Sequence, residues 1–268
     1  MGYGIDLLEH MRALEQKLIR EGLDRPLEYI HFRFADNSFR YTITPPDLHV
    51  FAETGCDGIH YGFLTDFGRI TDLEEASIVC VSPTDDPPLR IIARNLEDFF
   101  RLVVTIGSAG ELGSLVSVRT PRQWERYWAD LAESRHEEAT DPQLRNFVTC
   151  RQTVLHHMQT DLGLEPIPDV MRYLNDLEIQ RRSAGWIPTI DGLGVVPIDG
   201  PDRKPAADYV FPFADTSRDY IPLDDIRAYL AAAPPAHRCA FARDAFFWWV
   251  VDETSELWLL LHNVHIQH

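Results

Sequence analysis

Between residues 76 and 104 the apolar pattern switches from one period to another, and this switch constrains the fold more than any other feature of the chain. ASIVCV (76–81) is short, rich in β-branched and small apolar residues, and stops at Ser82-Pro83. That is the pattern of a strand buried on both faces. TDDPP (84–88) must turn, because its two prolines remove backbone donors and fix φ. LRIIAR (89–94) reads as a further strand. From Asn95 the period lengthens to that of a helix, with Leu96, Phe99, Phe100 and Val103 on one stripe. Asn95 is placed to cap this helix, and Glu97 and Asp98 lie in its first turn, where negative charge is favoured.

Upstream, Leu7, Leu8, Met11, Leu14, Leu18 and Ile19 share a stripe over residues 5–20 that stops at Gly22, predicting an amphipathic helix. LEYIHFRF (27–34) alternates, DNS (36–38) is turn chemistry, and FRYTI (39–43) resumes the alternation, predicting a hairpin. PPDLHVFAETG (45–55) opens with proline and closes with glycine, which predicts a two-turn helix. IHYGFL (59–64) reads as a strand. Downstream, Gly107, Gly110 and Gly113 break the helical pattern. They follow a helix rather than a strand, so they are no dinucleotide fingerprint. They mark a candidate boundary between residues 1–115 and residues 116–268, the latter being either a second domain or packed on the first.

The second half is helix-rich. Thr120-Pro121-Arg122-Gln123 fits a capping box with proline in the first turn, and helices are also predicted from Asp141-Pro142 and from Pro168-Asp169 to near Gly185. WIPTIDGLGVVPID (186–199) is strand-like with glycine turns, residues 200–220 form a proline-bearing loop, and PLDDIRAYLAAA (222–233) is a short helix. FFWWVV and LWLLLHNV flank DETSE (252–256) and predict a buried hairpin.

The formal charge of −17 repels phosphate backbones and anionic membranes, so nucleic-acid and membrane partners are not expected. The same field favours a basic partner, or serves solubility alone. Cys56, Cys80, Cys150 and Cys239 are widely spaced with no C-x-x-C pair, as in reduced cytosolic proteins. The N-terminus has no basic start followed by an apolar run, and no apolar stretch approaches a membrane span, so a cytoplasmic location is expected.

FAETGCDGIHYGFLTDFG (51–68) gathers Cys56, Asp57, His60 and Asp66 among four glycines. The chemical reading is a nucleophilic Cys56 or a Cys/His metal site; the structural reading is a glycine turn between strands, with Cys56 as filler. C-x-x-x-H supplies only half a zinc pair, and the structural reading is favoured. Asp85-Asp86 with Asp57 and Asp66 would offer oxygen ligands to a divalent cation, but the spacing fits no known loop and Asp before Pro-Pro is ordinary turn usage. His156-His157 point in different directions on a helix, and His262, His265 and His268 do not align on a strand. The Trp124/Trp128 and Trp248-Trp249 pairs read as core. There is no Walker loop, no G-x-S-x-G elbow and no H-E-x-x-H, so no metal or cofactor is expected and catalysis is left open, leaning against.

Residues 45–104 resemble the SUKH superfamily. The likeness is carried by PPDLHVFAETGCDGIHYGFL, ASIVCVSP and RIIARNLEDFFRLV, where the first resembles the family's short helix running into a glycine turn and strand. The resemblance implies an α+β fold with a mostly antiparallel central sheet flanked by helices. It further implies a binding role like that of toxin-immunity proteins, with a basic protein partner for this acidic chain. No active-site residues carry over, and residues 120–268 lie outside the match. The alternative is a small-molecule-binding protein or enzyme with a pocket near residues 51–68 and 84–88, where Asp57, His60, Asp85 and Asp86 are the candidate binding residues. The oligomeric state is not legible.

Overall fold

In the computed structural model, residues 6–196, 209–217, 219–249, 251 and 255–262 are described. Helix α1 (Asp6–Arg20) leads through a 3-10 turn (Pro26–Ile30) into five strands, β1 (Arg33–Phe34), β2 (Leu48–Glu53), β3 (His60–Leu64), β4 (Ser77–Val81) and β5 (Leu89–Ala93). They pair in chain order as an antiparallel meander. Helices α2 (Leu96–Ile106) and α3 (Ala109–Leu112) follow, then α4 (Pro121–Thr140), α5 (Arg145–Leu162), α6 (Val170–Ser183), α7 (Leu223–Ala232), α8 (Pro235–Trp249) and α9 (Glu256–His262). The chain is α+β.

β4 shows why ASIVCV carries no alternation. Ile78 and Cys80 join Tyr61, Phe63 and Ile92 in a core with Phe99, Phe100 and Val103 of α2. Val79 and Val81 face the other way, with Leu48, Leu64, Leu89 and Leu193. Both faces are covered, so polar residues have no place on either. The larger core also takes in Met11, Leu14 and Leu18 of α1, Trp124 of α4, Val154 of α5 and Leu174 of α6. A third apolar cluster gathers Phe211, Ile226, Phe241, Phe246 and Leu257 in the C-terminal region.

The predicted caps form. Asn95 accepts from the Asp98 amide, the Thr120/Gln123 capping box closes, and Asp169 accepts from the Arg172 amide. α5 begins at Arg145 rather than at Asp141-Pro142, because Asp141 closes α4 and turns the chain by accepting from the Gln143 amide.

Three expectations are corrected. The hairpin over 27–43 reduces to Arg33–Phe34, while residues 26–30 form a 3-10 turn and FRYTI makes no strand. Leu27 and Ile30 stand three apart, which is the 3-10 repeat, and Arg25 and His31 at φ 45° and 48° close both ends. The helix expected in 45–55 is strand β2. Leu48 pairs with Leu64 and Glu53 with His60 across a bulge at Val50/Ala52, and Gly55 serves the β2–β3 turn instead of ending a helix. A two-turn helix is marginal alone, whereas this segment completes a ladder and buries Phe51 and Ala52. The C-terminal hairpin is instead the helix pair α8 and α9. α8 is buried almost all round, so FFWW shows no helical stripe and mimics a strand. His265 and His268 lie outside the described residues.

Candidate functional site

The 51–68 stretch is a turn with two strands attached. Gly55, Asp57 and Gly58 take positive φ values of 85°, 52° and 69° between β2 and β3. Cys56 and Asp57 are exposed there. His60 is fully buried at the start of β3. Its Nδ1 donates to the Gly58 carbonyl at 2.7 Å, which leaves Nε2 to accept from the Thr44 hydroxyl at 3.0 Å. Burial pushes its pKa down to about 4.

The register His60↔Val81 puts the 54–59 turn and the TDDPP turn at the same end of the sheet. No hydrogen bond or ion pair among the described residues joins Asp57 or His60 to Asp85 or Asp86. Asp85 accepts from the Ser82 hydroxyl and Asp86 is exposed. Asp66 is buried and receives two bonds from Arg181, at 2.6 and 2.9 Å. Among the described residues no group of three or more His, Cys, Asp or Glu is arranged to hold a metal ion.

His60 gives a signed pH prediction. The folded protein keeps this imidazole neutral down to about 4, while the unfolded chain protonates it near 6.5, so the unfolded state binds more protons between these values. Its contribution is therefore present above pH 6.5 and lost as pH falls towards 4. Measured by urea unfolding, the stability of the parent relative to His60→Gln should shrink by about 3 kcal/mol between pH 7 and pH 4. A difference independent of pH would contradict the assignment.

At the start of β2 and the end of β3 lies a buried charge network. Arg243 of α8 pairs with Asp47, lies 3.8 Å from both Asp66 and Asp191, and donates to the Gly194 carbonyl at 2.6 Å. Burial works against its charge, but the Asp47, Asp191 and Asp66 carboxylates outweigh that and raise its pKa. Arg181 of α6 joins the network through Asp66 and the Leu193 and Gly194 carbonyls. Asp244 accepts from the Ile190 amide and the Tyr209 hydroxyl, and burial pushes its pKa up to about 7.

Next to this network is a cavity of about 260 Å³ between β5, α6 and the 186–193 loop. Leu89, Ile91, Leu177 and Leu193 give it apolar surface, and Pro87 of the TDDPP turn forms part of its rim. Four arginines line it, Arg90, Arg119, Arg181 and Arg182, against two carboxylates, Glu178 and Asp191. Arg90, 3 % exposed, donates from Nη1 to the Leu115 and Val118 carbonyls and from Nη2 to Glu178 Oε1 at 3.0 Å. Its Nε has no acceptor among the described residues. Arg119 reaches the same Oε1 at 3.6 Å.

Two guanidinium groups therefore share one carboxylate oxygen. Burial pulls the pKa of Arg90 down to about 10 and also lowers that of Arg119. Cations held below their usual range by desolvation gain from an added anion. Arg182, one turn beyond Glu178 on α6, lies over the Trp186 ring at 5.6 Å. Trp186 is in turn held by donating from Nε1 to the Leu193 carbonyl at 3.0 Å.

Of the sequence candidates, only the TDDPP turn touches this cavity, through Pro87. The arginines were missed because Arg181-Arg182 look like ordinary basic residues at a helix end. Arg90 carried a signal, being a charge within the apolar strand LRIIA. No protein-family model and no curated protein matches the chain.

Proposed function

We propose that the chain is a binding protein whose ligand is a small organic anion held in the arginine-lined cavity. The observation that carries this reading is the pair Arg90 and Arg119 converging, partly desolvated, on a single carboxylate oxygen beside an apolar wall. Such a wall suits the body of a ligand and the guanidiniums suit its acid group. In a chain of net charge −17, a cavity with four arginines and two carboxylates is a local reversal of sign that would concentrate anions.

A panel of carboxylates and phosphate esters, read by thermal denaturation and calorimetry, tests the reading. A ligand at one hundred times its Kd should stabilise the protein by about 2.7 kcal/mol. Arg119→Gln should weaken that ligand roughly tenfold or more, since charge-assisted bonds to guanidinium are the stronger kind. If no anion stabilises the protein, or if Arg119→Gln binds as tightly as the parent, the reading fails.

A second reading is a cytoplasmic immunity-type protein that holds a basic partner. It is favoured by a separate cavity of about 290 Å³ lined by Asp6, Glu74, Glu75 and Glu97, with no arginine or lysine among its described lining residues. The net charge and the resemblance of residues 45–104 to the SUKH superfamily point the same way. A pull-down washed at low and then high salt should yield a basic protein lost in high salt. No single helix among the described residues is long and apolar enough to cross a membrane.

A further inference from the structure

Glu178 sits where a ligand's acid group would bind, which limits the kind of acid that can enter. We propose that the cavity selects a phosphate-type dianion and that Glu178 is the residue that rejects monocarboxylates; this rests on the anion-binding reading above. Glu178 Oε1 lies 3.0 Å from Arg90 Nη2 and 3.6 Å from Arg119 Nη1, so the chain already supplies one carboxylate to this pair. Being tethered, it competes at a high effective concentration. A monocarboxylate offers Arg119 nothing that Glu178 does not, meets its negative charge, and still bears the entropy cost of association.

A phosphate ester differs in two ways. It carries nearly two negative charges above its second pKa of about 6, and it presents three acceptor oxygens. It can therefore draw Arg119 away from the shared oxygen and engage Arg182, which stands one turn along α6 from Glu178. Arg90 stays neutralised by Glu178 and anchored by the Leu115 and Val118 carbonyls. Trp186, which also lines the cavity, adds aromatic surface for the body of the ester.

Phenyl phosphate and benzoate share a planar body and differ in the acid, so they are the probes. Calorimetry at pH 7.5 should show phenyl phosphate binding the parent at least tenfold tighter than benzoate. At pH 5, where phosphate is a monoanion, most of that preference should vanish. Glu178→Gln keeps an acceptor for Arg90 but removes the charge, and should tighten benzoate binding at pH 7.5 by tenfold or more, with phenyl phosphate, the more highly charged anion, gaining at least as much. Benzoate affinity unchanged in the variant overturns the role of Glu178, and equal binding of both probes by the parent overturns the selectivity, while either leaves the anion reading standing. Binding of neither probe by either protein overturns the inference together with that reading. If Glu178→Gln fails to fold, nitrogen-15 spectra of the parent decide. The Arg119 Nε–H signal should move with phenyl phosphate and stay in place with benzoate, and any other pattern overturns the proposal.

Discussion

Arg243→Met should be the most damaging single substitution in the molecule, costing about 3–5 kcal/mol, which is the usual penalty for removing one partner of a buried ion pair. Arg243 is 1 % exposed and is the common partner of Asp47, Asp66 and Asp191. Asp66 retains Arg181, but Asp47 and Asp191 would be left as buried carboxylates with only neutral donors. A domain commonly has about 5–15 kcal/mol in all, so urea unfolding should show a large share of the stability gone. The loss should also be non-additive. Asp47→Asn on the Arg243→Met background should recover part of it, because it removes one of the stranded charges. A cost below about 1 kcal/mol would mean that water reaches the network and screens it.

Gly194→Ala is expected to cost on the order of 2–3 kcal/mol and to remove the cavity wall with it. Gly194 has φ +62°, and an added Cβ would lie 1.3 Å from Trp186 Nε1. The indole must then leave its place, losing its bond to the Leu193 carbonyl and its contact with Arg182. Trp186 is one of six tryptophans, so its displacement is best read as a difference in fluorescence between Gly194→Ala and the parent. Ligand affinity should fall in step with the spectral change. An unaltered spectrum with full affinity would show that the backbone shifts instead of the ring.

Local chemistry in the sequence was enough for most of the elements. Asn95, Thr120 with Gln123, and Asp169 announce their helices because a cap is satisfied within three residues. β3, β4 and β5 were legible from short apolar runs bounded by turn residues. Two of the misread elements share a cause: each owes its form to a distant partner. Leu48–Glu53 is a strand because β3 is there to pair with it. FFWW is helical because α8 is buried on nearly all sides, which erases the periodicity that would have revealed it.

The sequence by itself determined a strand β4 buried on both faces, the capped helices α2, α4 and α6, and a net charge of −17. Only the tertiary structure decided where the chemistry lies. It buried His60 as a neutral strand residue, bound Asp66 to Arg181, and brought Arg90, Arg119 and Glu178 together across 88 positions of chain. Caps and turns are settled by neighbours in sequence, whereas the charge and desolvation of a side chain depend on what folds over it.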